Sequence, residues 1–415
     1  MAVDNLAQQA PAQASLDLIG KLEVLARRYA AARGDFQRSE VDEAVKRTRL
    51  GVALADAMLA RARVEQEARD IALVGYRAAA TKFMRPRRRN RLSRLIDRSL
   101  DMTRSSGRAL IIARSGVWEA GDLRAMAAYA RRGADLAVQP AAIFDQAWYL
   151  KARADLAGSR TSPLVHYLLH GGGEGASPHP LFDSQYYAAA NAAELAASGL
   201  TPLEHFVRVG AAQGRDPHPL FSIRHYVRQA PDLIASGGNP IRHYLQIGWR
   251  QGLSPHPLFA ADFYAAQMTS GGAPESAPLV HYLTQGAALG LRPHPLFDPD
   301  WYRGQYPDVV EGGFEPLSHY AASGGAEQRH PSPWFDALRY AALRGGDLPP
   351  GANLLVDYLQ GGAWSIGEPW PGKTTLSYLA AASDLAAKGM TPLEHWARQG
   401  DLQTPSALSP DQTSR

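Results

Sequence analysis

Cysteine is absent from the 415-residue chain, and several classes of chemistry are absent with it. A chain without thiols forms no disulfide bond, offers no cysteine nucleophile and holds no iron–sulfur cluster or cysteine-ligated zinc. Long apolar runs are also missing: no stretch approaches 18 residues without a charge, and we expect no membrane-spanning helix. The first residues lack the basic start and apolar core of a secretory signal. We therefore expect a cytoplasmic protein.

Familiar catalytic motifs are missing as well. The sequence contains no phosphate-binding loop, no G-x-G-x-x-G after a strand, no G-x-S-x-G and no H-E-x-x-H. These absences favour a non-catalytic protein without a cofactor. The alternative is an enzyme whose catalytic residues follow no familiar motif.

Charge and aromatic residues are distributed unevenly along the chain. Residues 1–140 hold 26 Lys and Arg against 16 Asp and Glu, a net charge of +10, whereas residues 141–415 hold 18 against 24, a net charge of −6. All 13 histidines lie between His166 and His395, and 30 of the 36 aromatic residues lie at or beyond Phe144. Two segments of different composition therefore meet near residue 140.

The word PHPLF occurs four times, starting at residues 178, 217, 255 and 293. The steps are 39, 38 and 38 residues, and self-similarity at a fixed period indicates a repeat protein. Tyrosine, histidine and glycine keep the same step. Tyrosine recurs at Tyr149, Tyr187, Tyr226, Tyr264, Tyr302, Tyr340 and Tyr378; histidine at His166, His205, His243, His281, His319 and His395; glycine at Gly171, Gly210, Gly248, Gly286, Gly324, Gly362 and Gly400. We predict seven copies of the unit, with Asp357 in the vacant histidine position of the sixth.

The second copy indicates how the first helix of a unit begins and ends. Asp183 has the position of a helix N-cap, with Phe182 before it and Tyr187 at the fourth helical position. That is the spacing of a hydrophobic staple. The helix is predicted to continue to about Leu195 and to stop near Gly199, which can adopt a left-handed conformation.

A second helix is predicted in the segment TPLEHFVRVG. Thr201 is its N-cap, Pro202 lies in the first turn where its missing N–H is not needed, and Glu204 completes a capping box. After Gly214 the prolines of PHPLF keep the chain out of helix and lead it into the next copy.

We therefore expect an all-α protein whose copies stack as an α-solenoid of about seven helix-turn-helix repeats, because neither short helix buries its apolar face alone. Residues 1–82 carry loosely periodic apolar residues and predict a helical hairpin or coiled coil that dimerises. Residues 83–140 predict a basic linker and connecting helices, the latter over 107–138. The solenoid is expected over 141–401 and a disordered tail over 402–415.

The segment KFMRPRRRNRLSR carries seven basic residues and no acid between Lys82 and Arg94. It is interpreted as a solvated linker, with contact to anionic lipid at the inner membrane or to an acidic partner protein as the alternative. No recognised nucleic-acid-binding fold accompanies it, and we expect no nucleic-acid partner. The candidate contact residues are Arg85, Arg87, Arg88, Arg89, Arg91 and Arg94.

The recurring histidines have two interpretations. A metal or proton-relay ladder is one of them. However, the two histidines of a copy, such as His166 and His179, stand 13 residues apart, without the spacing of a helical metal pair, and no carboxylate recurs beside them in the sequence. We therefore expect no metal, and imidazoles wedged between helices with a hydrogen bond to a carbonyl of the PHPLF segment.

The recurring tyrosines, from Tyr149 to Tyr302, are predicted to lie in the core. Another aromatic residue precedes the tyrosine in several copies, and the alternative is that this ring stays exposed. A row of exposed rings can stack on sugars or bind a partner segment. The candidate contact residues are Trp148, Tyr186 and Trp301.

The unit resembles a known bacterial repeat of the form F-D-x-x-Y-Y, P-L-x-H-Y, G-x-x-x-G and P-x-P-L-F. The match is clearest in LFDSQYYAAANAAELAASGLTPLEHFVRVG and in YRGQYPDVVEGGFEPLSHY, and it covers residues 144–401. Such repeats occur beside the catalytic domains of bacterial glycosyltransferases and other enzymes of surface-polysaccharide synthesis. The resemblance implies that biological context but carries no catalytic residue over to this chain.

Together these observations predict a non-catalytic scaffold that recruits or organises enzymes of surface-polysaccharide synthesis or export. One alternative is a carbohydrate-binding module that uses the aromatic row. Another is a glycosyltransferase with an unfamiliar active site. The expected partners are those proteins, a glycan, an anionic membrane surface and a second copy of the chain through residues 1–82.

Overall fold

The structure is a computed structural model that describes residues 105–156, 158–159, 161–268, 276–365 and 390–399, all within one compact unit of the chain. These residues form helices, turns and isolated β-bridges, with no β-strand among them, which confirms the all-α class for this part of the chain. None of the described helices has the length and apolarity needed to cross a bilayer. The predicted hairpin of residues 1–82, the basic run and the tail lie outside the described residues.

Two helices precede the first copy, α1 at Ser105–Ser115 and α2 at Leu123–Arg131. Asp122 caps α2 by accepting hydrogen bonds from the N–H groups of Arg124 and Ala125. The two helices pack against each other, and α1 also packs against the first copy. In the segment 107–138, where connecting helices were predicted, the structure has α1 and α2, separated at residues 116–122.

Six copies of the unit begin with a first helix within the described residues. We number the copies from 1 to 7 in chain order, at residues 145–182, 183–221, 222–259, 260–297, 298–335, 336–365 and 390–399, the last two as far as they are described. The first helices lie at Gln146–Ala152, Ser184–Ala190, Ile223–Val227, Ala261–Met268, Pro299–Gln305 and Ala337–Arg344. Asp183 accepts from the N–H groups of Gln185 and Tyr186, which confirms the predicted N-cap. Asp145, Ser222, Asp298 and Asp336 cap the equivalent helices.

A separate second helix follows. The helix predicted to run past Leu195 is instead broken at Asn191, whose side-chain amide donates to the carbonyl oxygen of Tyr187 at 2.8 Å and so competes with the helical ladder. The stop at Gly199 is confirmed, in the left-handed region at φ 68°. Second helices or 3₁₀ turns lie at Ala154–Leu156, Ala192–Ser198, Pro231–Ser236, Pro307–Glu311 and Gly345–Asp347.

The third helix of a copy starts as an α-helical turn and widens into a π-helical turn. In copy 2 the predicted capping box between Thr201 and Glu204 is present, with Pro202 in the first turn. The α turns lie at Pro163–His166, Pro202–His205, Pro240–His243, Pro278–His281 and Pro316–His319, and the π turns at Tyr167–Gly171, Phe206–Gly210, Tyr244–Gly248, Tyr282–Gly286 and Tyr320–Gly324. Copy 6 has Leu354–Leu359 and copy 7 has Pro392–Gln399 in the same place, without a π turn.

A connector closes each of copies 1 to 5. In PHPLF at 178–182 the N–H of Phe182 donates to the carbonyl oxygen of His179 at 2.9 Å, forming a tight turn. The same turn occurs at 217–221, 255–259, 293–297 and 331–335, and before copy 1 at 140–144. The turns at 140–144 and 331–335 have the sequences PAAIF and PSPWF, and their equivalence to PHPLF was therefore not recognised from the sequence.

Consecutive connectors are joined by backbone hydrogen bonds. The residue after a connector donates its N–H to the carbonyl oxygen of the first proline in the next connector. Asp145 donates to Pro178 at 2.9 Å, and Asp183 donates to Pro217 at 3.0 Å. Ser222, Ala260 and Asp298 repeat this bond, and Glu119 makes it to Pro140. These bonds hold neighbouring copies together through main-chain groups, so they do not depend on which side chains the copies carry.

The core of each of copies 1 to 6 is a triangle of three rings. In copy 1 the rings of Phe144, Tyr149 and Tyr167 lie 5.4 to 5.9 Å apart between centroids, at the tilted and edge-on angles that aromatic rings prefer. All three side chains are fully buried. The connector phenylalanine, the first-helix tyrosine and the third-helix ring thus come from three different parts of the unit and fix its internal geometry.

Candidate functional site

The recurring tyrosine and histidine of a copy are hydrogen-bonded to each other. The Tyr hydroxyl lies 2.7 to 3.1 Å from Nδ1 of the His in five copies, in the pairs Tyr149–His166, Tyr187–His205, Tyr226–His243, Tyr264–His281 and Tyr302–His319. The tyrosine rings are completely buried, which confirms their predicted place in the core. The carbonyl partner predicted for these histidines is wrong, because the first helix presents a hydroxyl at that point.

The recurring glycine makes room for this bond. A Cβ atom on Gly171, Gly210, Gly248 or Gly286 would overlap with the hydroxyl oxygen of the tyrosine in the same copy. The φ angles of these residues need no glycine, so the requirement is space for the hydroxyl group. Tyrosine, histidine and glycine therefore form one unit of contact, which we call the Tyr–His–Gly interlock.

Carboxylates of the second helix complete the interlock in two copies. Nε2 of His243 lies 2.8 Å from Oδ2 of Asp232, and Nε2 of His205 lies 3.4 Å from Oε2 of Glu194. With the Nε2 proton facing Asp232, Nδ1 is the acceptor and the Tyr226 hydroxyl is the donor. From the local sequence we expected no carboxylate beside these histidines. That expectation is wrong in these two copies, because the second helix folds back over the third.

Burial also determines the protonation states of the paired tyrosine and histidine. Burial lowers the pKa of His205 and raises the pKa of Tyr187, so both side chains of that pair are held neutral. The hydrogen bond from His243 lowers the pKa of Asp232. A neutral pair joined by one hydrogen bond is suited to holding two helices together.

Copy 6 keeps the interlock without histidine. The Tyr340 hydroxyl donates to Oδ2 of Asp357 at 2.5 Å, and Arg344 Nε lies 2.9 Å from the same oxygen. A Cβ on Gly362 would overlap with the Tyr340 hydroxyl, as in the other copies. Asp357 therefore replaces the histidine as acceptor, and the adjacent guanidinium balances its charge.

A second row of tyrosines links one copy to the next. In copies 1, 3 and 6 the hydroxyl of the third-helix tyrosine accepts a hydrogen bond from the backbone N–H of the residue after the proline of the following copy, whereas the Tyr282 hydroxyl of copy 4 donates to Glu315. The pairs are Tyr167 with Leu203 at 3.3 Å, Tyr244 with Leu279 at 3.3 Å and Tyr358 with Leu393 at 3.2 Å. Tyr129 of α2 makes this bond to Leu164 at 3.2 Å, so α2 acts as the neighbour that copy 1 would otherwise lack.

The connector histidines act as turn caps. Nδ1 of His179 accepts from the backbone N–H of Leu181 at 3.0 Å, and His218, His256 and His294 repeat this contact at 3.0 to 3.1 Å. Burial lowers the pKa of His179 and His218 to about 4 and that of His256 and His294 to about 3. Each imidazole is therefore neutral at pH 7, and its Nε2 carries the proton.

The candidate contact rings are only partly available. Trp148, Tyr186 and Trp301 are half-buried, each on the first helix directly before the interlocked tyrosine. Burial raises the pKa of Tyr186 to about 12. The same position holds Phe263 in copy 4 but His225 in copy 3 and Arg339 in copy 6, so the row of large aromatic rings is interrupted.

The remaining predicted positions are placed as follows. His395 lies on Pro392–Gln399, with Nε2 3.3 Å from the Gln399 amide, and its expected partner Tyr378 lies outside the described residues. The six arginines from Arg85 to Arg94 also lie outside them. Within the described ranges no three His, Asp or Glu side chains come together as a metal site.

A cleft of about 450 Å³ lies between copies 3 and 4 on one side and copies 6 and 7 on the other. Arg398 of copy 7 crosses it and binds both carboxylate oxygens of Asp262, at 2.8 and 3.1 Å. The same guanidinium contacts Glu394 at 3.0 Å, and burial raises the pKa of that carboxyl. His225 and Arg228 of copy 3, Nδ1 to Nη2 3.2 Å, line the opposite wall. Sequence spacing gave no indication of this cleft, because residues that meet in it, such as Asp262 and Arg398, lie 136 residues apart in the chain.

Comparison with known proteins finds no matching family model, no similar curated protein and no similar solved structure.

Proposed function

We propose that the chain is an α-solenoid of seven repeats that serves as a non-catalytic scaffold for proteins that make or export a bacterial surface polysaccharide. The glycan context comes from the resemblance of the unit to repeats found beside bacterial glycosyltransferases. The scaffold role rests on one observation, which is how the repeat uses its recurring residues.

The recurring polar residues serve the packing. Tyrosine and histidine of the interlock bond to each other, the connector histidines cap turns, and the third-helix tyrosines bind the next copy. Large apolar residues that remain exposed differ from copy to copy, as at Ile247, Leu289 and Val310. A constant framework with variable exposed side chains is the arrangement by which stacked repeats present binding surfaces.

Affinity capture from a native lysate of the source cells tests this role. The full chain is one bait, and the full chain with Gly248→Ala and Gly286→Ala is the matched control, because both substitutions disrupt an interlock and leave residues 1–104 unchanged. We expect the first bait to enrich glycosyltransferases or polysaccharide-export proteins and the control to lose them. Recovery of neither class by the full chain would contradict the proposal.

The basic run is proposed to place the scaffold against an anionic membrane surface or an acidic partner. Charge reversal at Arg87, Arg88 and Arg89 removes the centre of a run of seven cations. We expect the triple Glu variant to leave the membrane fraction of lysed cells while the unchanged chain stays there. Equal distribution of both chains would show that the run is only a solvated linker.

A further inference from the structure

The cleft between copies 3–4 and 6–7 has the properties of a small-molecule site. Its volume of about 450 Å³ lies within the range typical of such sites. Leu359 and Met390 supply apolar wall, and polar and charged groups supply much of the rest. The Tyr–His–Gly interlock and the connector turns do not account for this composition, because Met390, Glu394 and Arg398 belong to neither of them.

Charges in the cleft are balanced. Arg228 and Arg398 face Asp262 and Glu394, two cations against two carboxylates. The cleft as a whole attracts no ion strongly, because its charges are equal in number and the Arg398 guanidinium already has two carboxylates beside it. It offers donors and acceptors side by side, and a hydroxyl group both donates and accepts a hydrogen bond.

His294 adds a donor in a fixed position. Its side chain is 2% exposed and lines the cleft, and Nδ1 is occupied by the N–H of Leu296 at 3.1 Å. Nε2–H is therefore the donor that remains, and none of the described residues accepts from it. A buried imidazole held by its turn and lining the cavity differs from a mobile surface side chain, because its position is set before a ligand arrives.

We propose that this cleft binds a neutral polyhydroxylated ligand, a short oligosaccharide, with His294 Nε2–H and Arg398 donating to sugar oxygens and the Asp262 and Glu394 carboxylates accepting from sugar hydroxyls. Leu359 and Met390 contact the C–H faces of the sugar rings. This site stands apart from the scaffold role, since it needs no partner protein, and either proposal can fail without the other.

Two matched asparagine variants of the full chain test the proposal. In His294→Asn the side-chain oxygen can replace Nδ1 as acceptor for the Leu296 N–H, while the Nε2–H donor is lost. His256→Asn makes the same change in the preceding connector, where Nδ1 accepts from Leu258 at 3.1 Å and the side chain is outside the cleft. Equal melting temperatures of the two variants would show equal effects on the fold.

Binding is measured by isothermal titration of the full chain with maltotriose, cellotriose and chitotriose, and with trigalacturonate as the charged comparison. We expect saturable binding of at least one neutral trisaccharide. His294→Asn should weaken its Kd about tenfold or more, and His256→Asn less than about twofold. Met390→Trp, which fills the cleft, should abolish binding.

Three results would overturn the proposal. The first is no saturable binding of any of the three neutral trisaccharides. The second is tighter binding of trigalacturonate than of all of them, which would make the cleft an anion site. The third is an equal loss of affinity in His294→Asn and His256→Asn, which would place the binding site elsewhere.

Discussion

At the scale of single residues, the repeat depends on a tyrosine, a histidine and a glycine that require one another. The Tyr226 hydroxyl reaches His243 only because Gly248 has no Cβ at the point where the hydroxyl lies. The sequence alone showed that tyrosine, histidine and glycine recur at one step, but not that they touch. His243 lies 17 residues and Gly248 22 residues after Tyr226, which places the tyrosine on the first helix and the other two on the third. Only the packing of these helices brings the three residues together.

The interlock predicts a strong coupling between glycine and tyrosine. Gly248→Ala should destabilise the protein by about 2–4 kcal/mol, because the new Cβ displaces a buried hydroxyl in a close-packed core. Tyr226→Phe should cost about 1–2 kcal/mol by removing one hydrogen bond. In the double variant the phenyl ring leaves room for the Cβ, and the loss should be smaller than the sum.

Urea unfolding of the three variants measures this coupling. Gly304→Ala is the matched control, since Gly304 also lies in a helix and a Cβ there meets no atom within 4 Å. It should be neutral or slightly stabilising, as alanine is the better helix former. Additive losses in the double variant would show that the glycine and the hydroxyl do not compete for one space.

The buried connector histidines predict acid sensitivity. Their folded pKa values, about 4 for His179 and His218 and about 3 for His256 and His294, lie below the ordinary value of about 6.5. The stability they confer is therefore complete above pH 6.5 and is lost as the pH falls towards their folded pKa values. Each histidine contributes about 1.4 kcal/mol per pH unit within that window.

His256→Asn isolates one of these contributions. The asparagine can still accept from the Leu258 N–H, but it takes up no proton. Urea unfolding between pH 7.5 and pH 4.5 should show the free energy of unfolding falling less steeply in this variant, by about 1.4 kcal/mol per pH unit. Identical slopes in the two proteins would mean that His256 binds its proton as readily in the folded chain as in the unfolded chain.

At the scale of helices and turns, local chemistry predicted most starts and stops. The N-cap Asp183, the capping box at Thr201 and the left-handed Gly199 are all present, because each depends on neighbours within four residues. The break at Asn191 and the π turns were not predicted. Asn191 bonds a carbonyl of the preceding helix, and the π turns coincide with the glycine against which a tyrosine from another helix packs.

Copy 2 departs from the pattern at the link to its neighbour. Phe206 occupies the position where Tyr167 and Tyr244 each accept an N–H from the next copy. Phe206→Tyr should supply the missing acceptor for the Ile241 N–H and stabilise the protein by about 0.5–1.5 kcal/mol. Tyr244→Phe should destabilise it by a similar amount.

Both variants are measured by equilibrium unfolding in urea. The two substitutions change the same atom in opposite directions at equivalent positions, so each serves as the control of the other. A loss of stability in Phe206→Tyr would show that copy 3 does not present its N–H to copy 2 as copies 2 and 4 do to the copies before them.

At the scale of the whole described chain, contacts between distant copies accompany those between neighbours. Arg398 of copy 7 binds Asp262 of copy 4, and Glu119 before copy 1 lies 3.7 Å from Arg242 of copy 3. The regular period in the sequence predicted neighbouring contacts. It carried no information on which distant copies meet, because that depends on the rotation between copies.

Arg398→Ala tests the distant contact. It should cost about 1–3 kcal/mol, because it leaves the largely buried Glu394 without its cation. Arg132→Ala, which removes an exposed side chain paired with Asp135 three residues away, is the control and should cost less than about 1 kcal/mol. Equal small losses in urea unfolding would show that the contact between copies 4 and 7 does not contribute to stability.

The scaffold role is tested most directly by sedimentation of the purified full chain with the purified polysaccharide enzyme that it captures, at equal concentrations. We predict a discrete complex with the unchanged chain and separate components with the Gly248→Ala, Gly286→Ala variant, and no sugar transfer by the chain alone from any nucleotide sugar. Separate components with the unchanged chain, or turnover of a nucleotide sugar by the chain alone, would contradict the scaffold role.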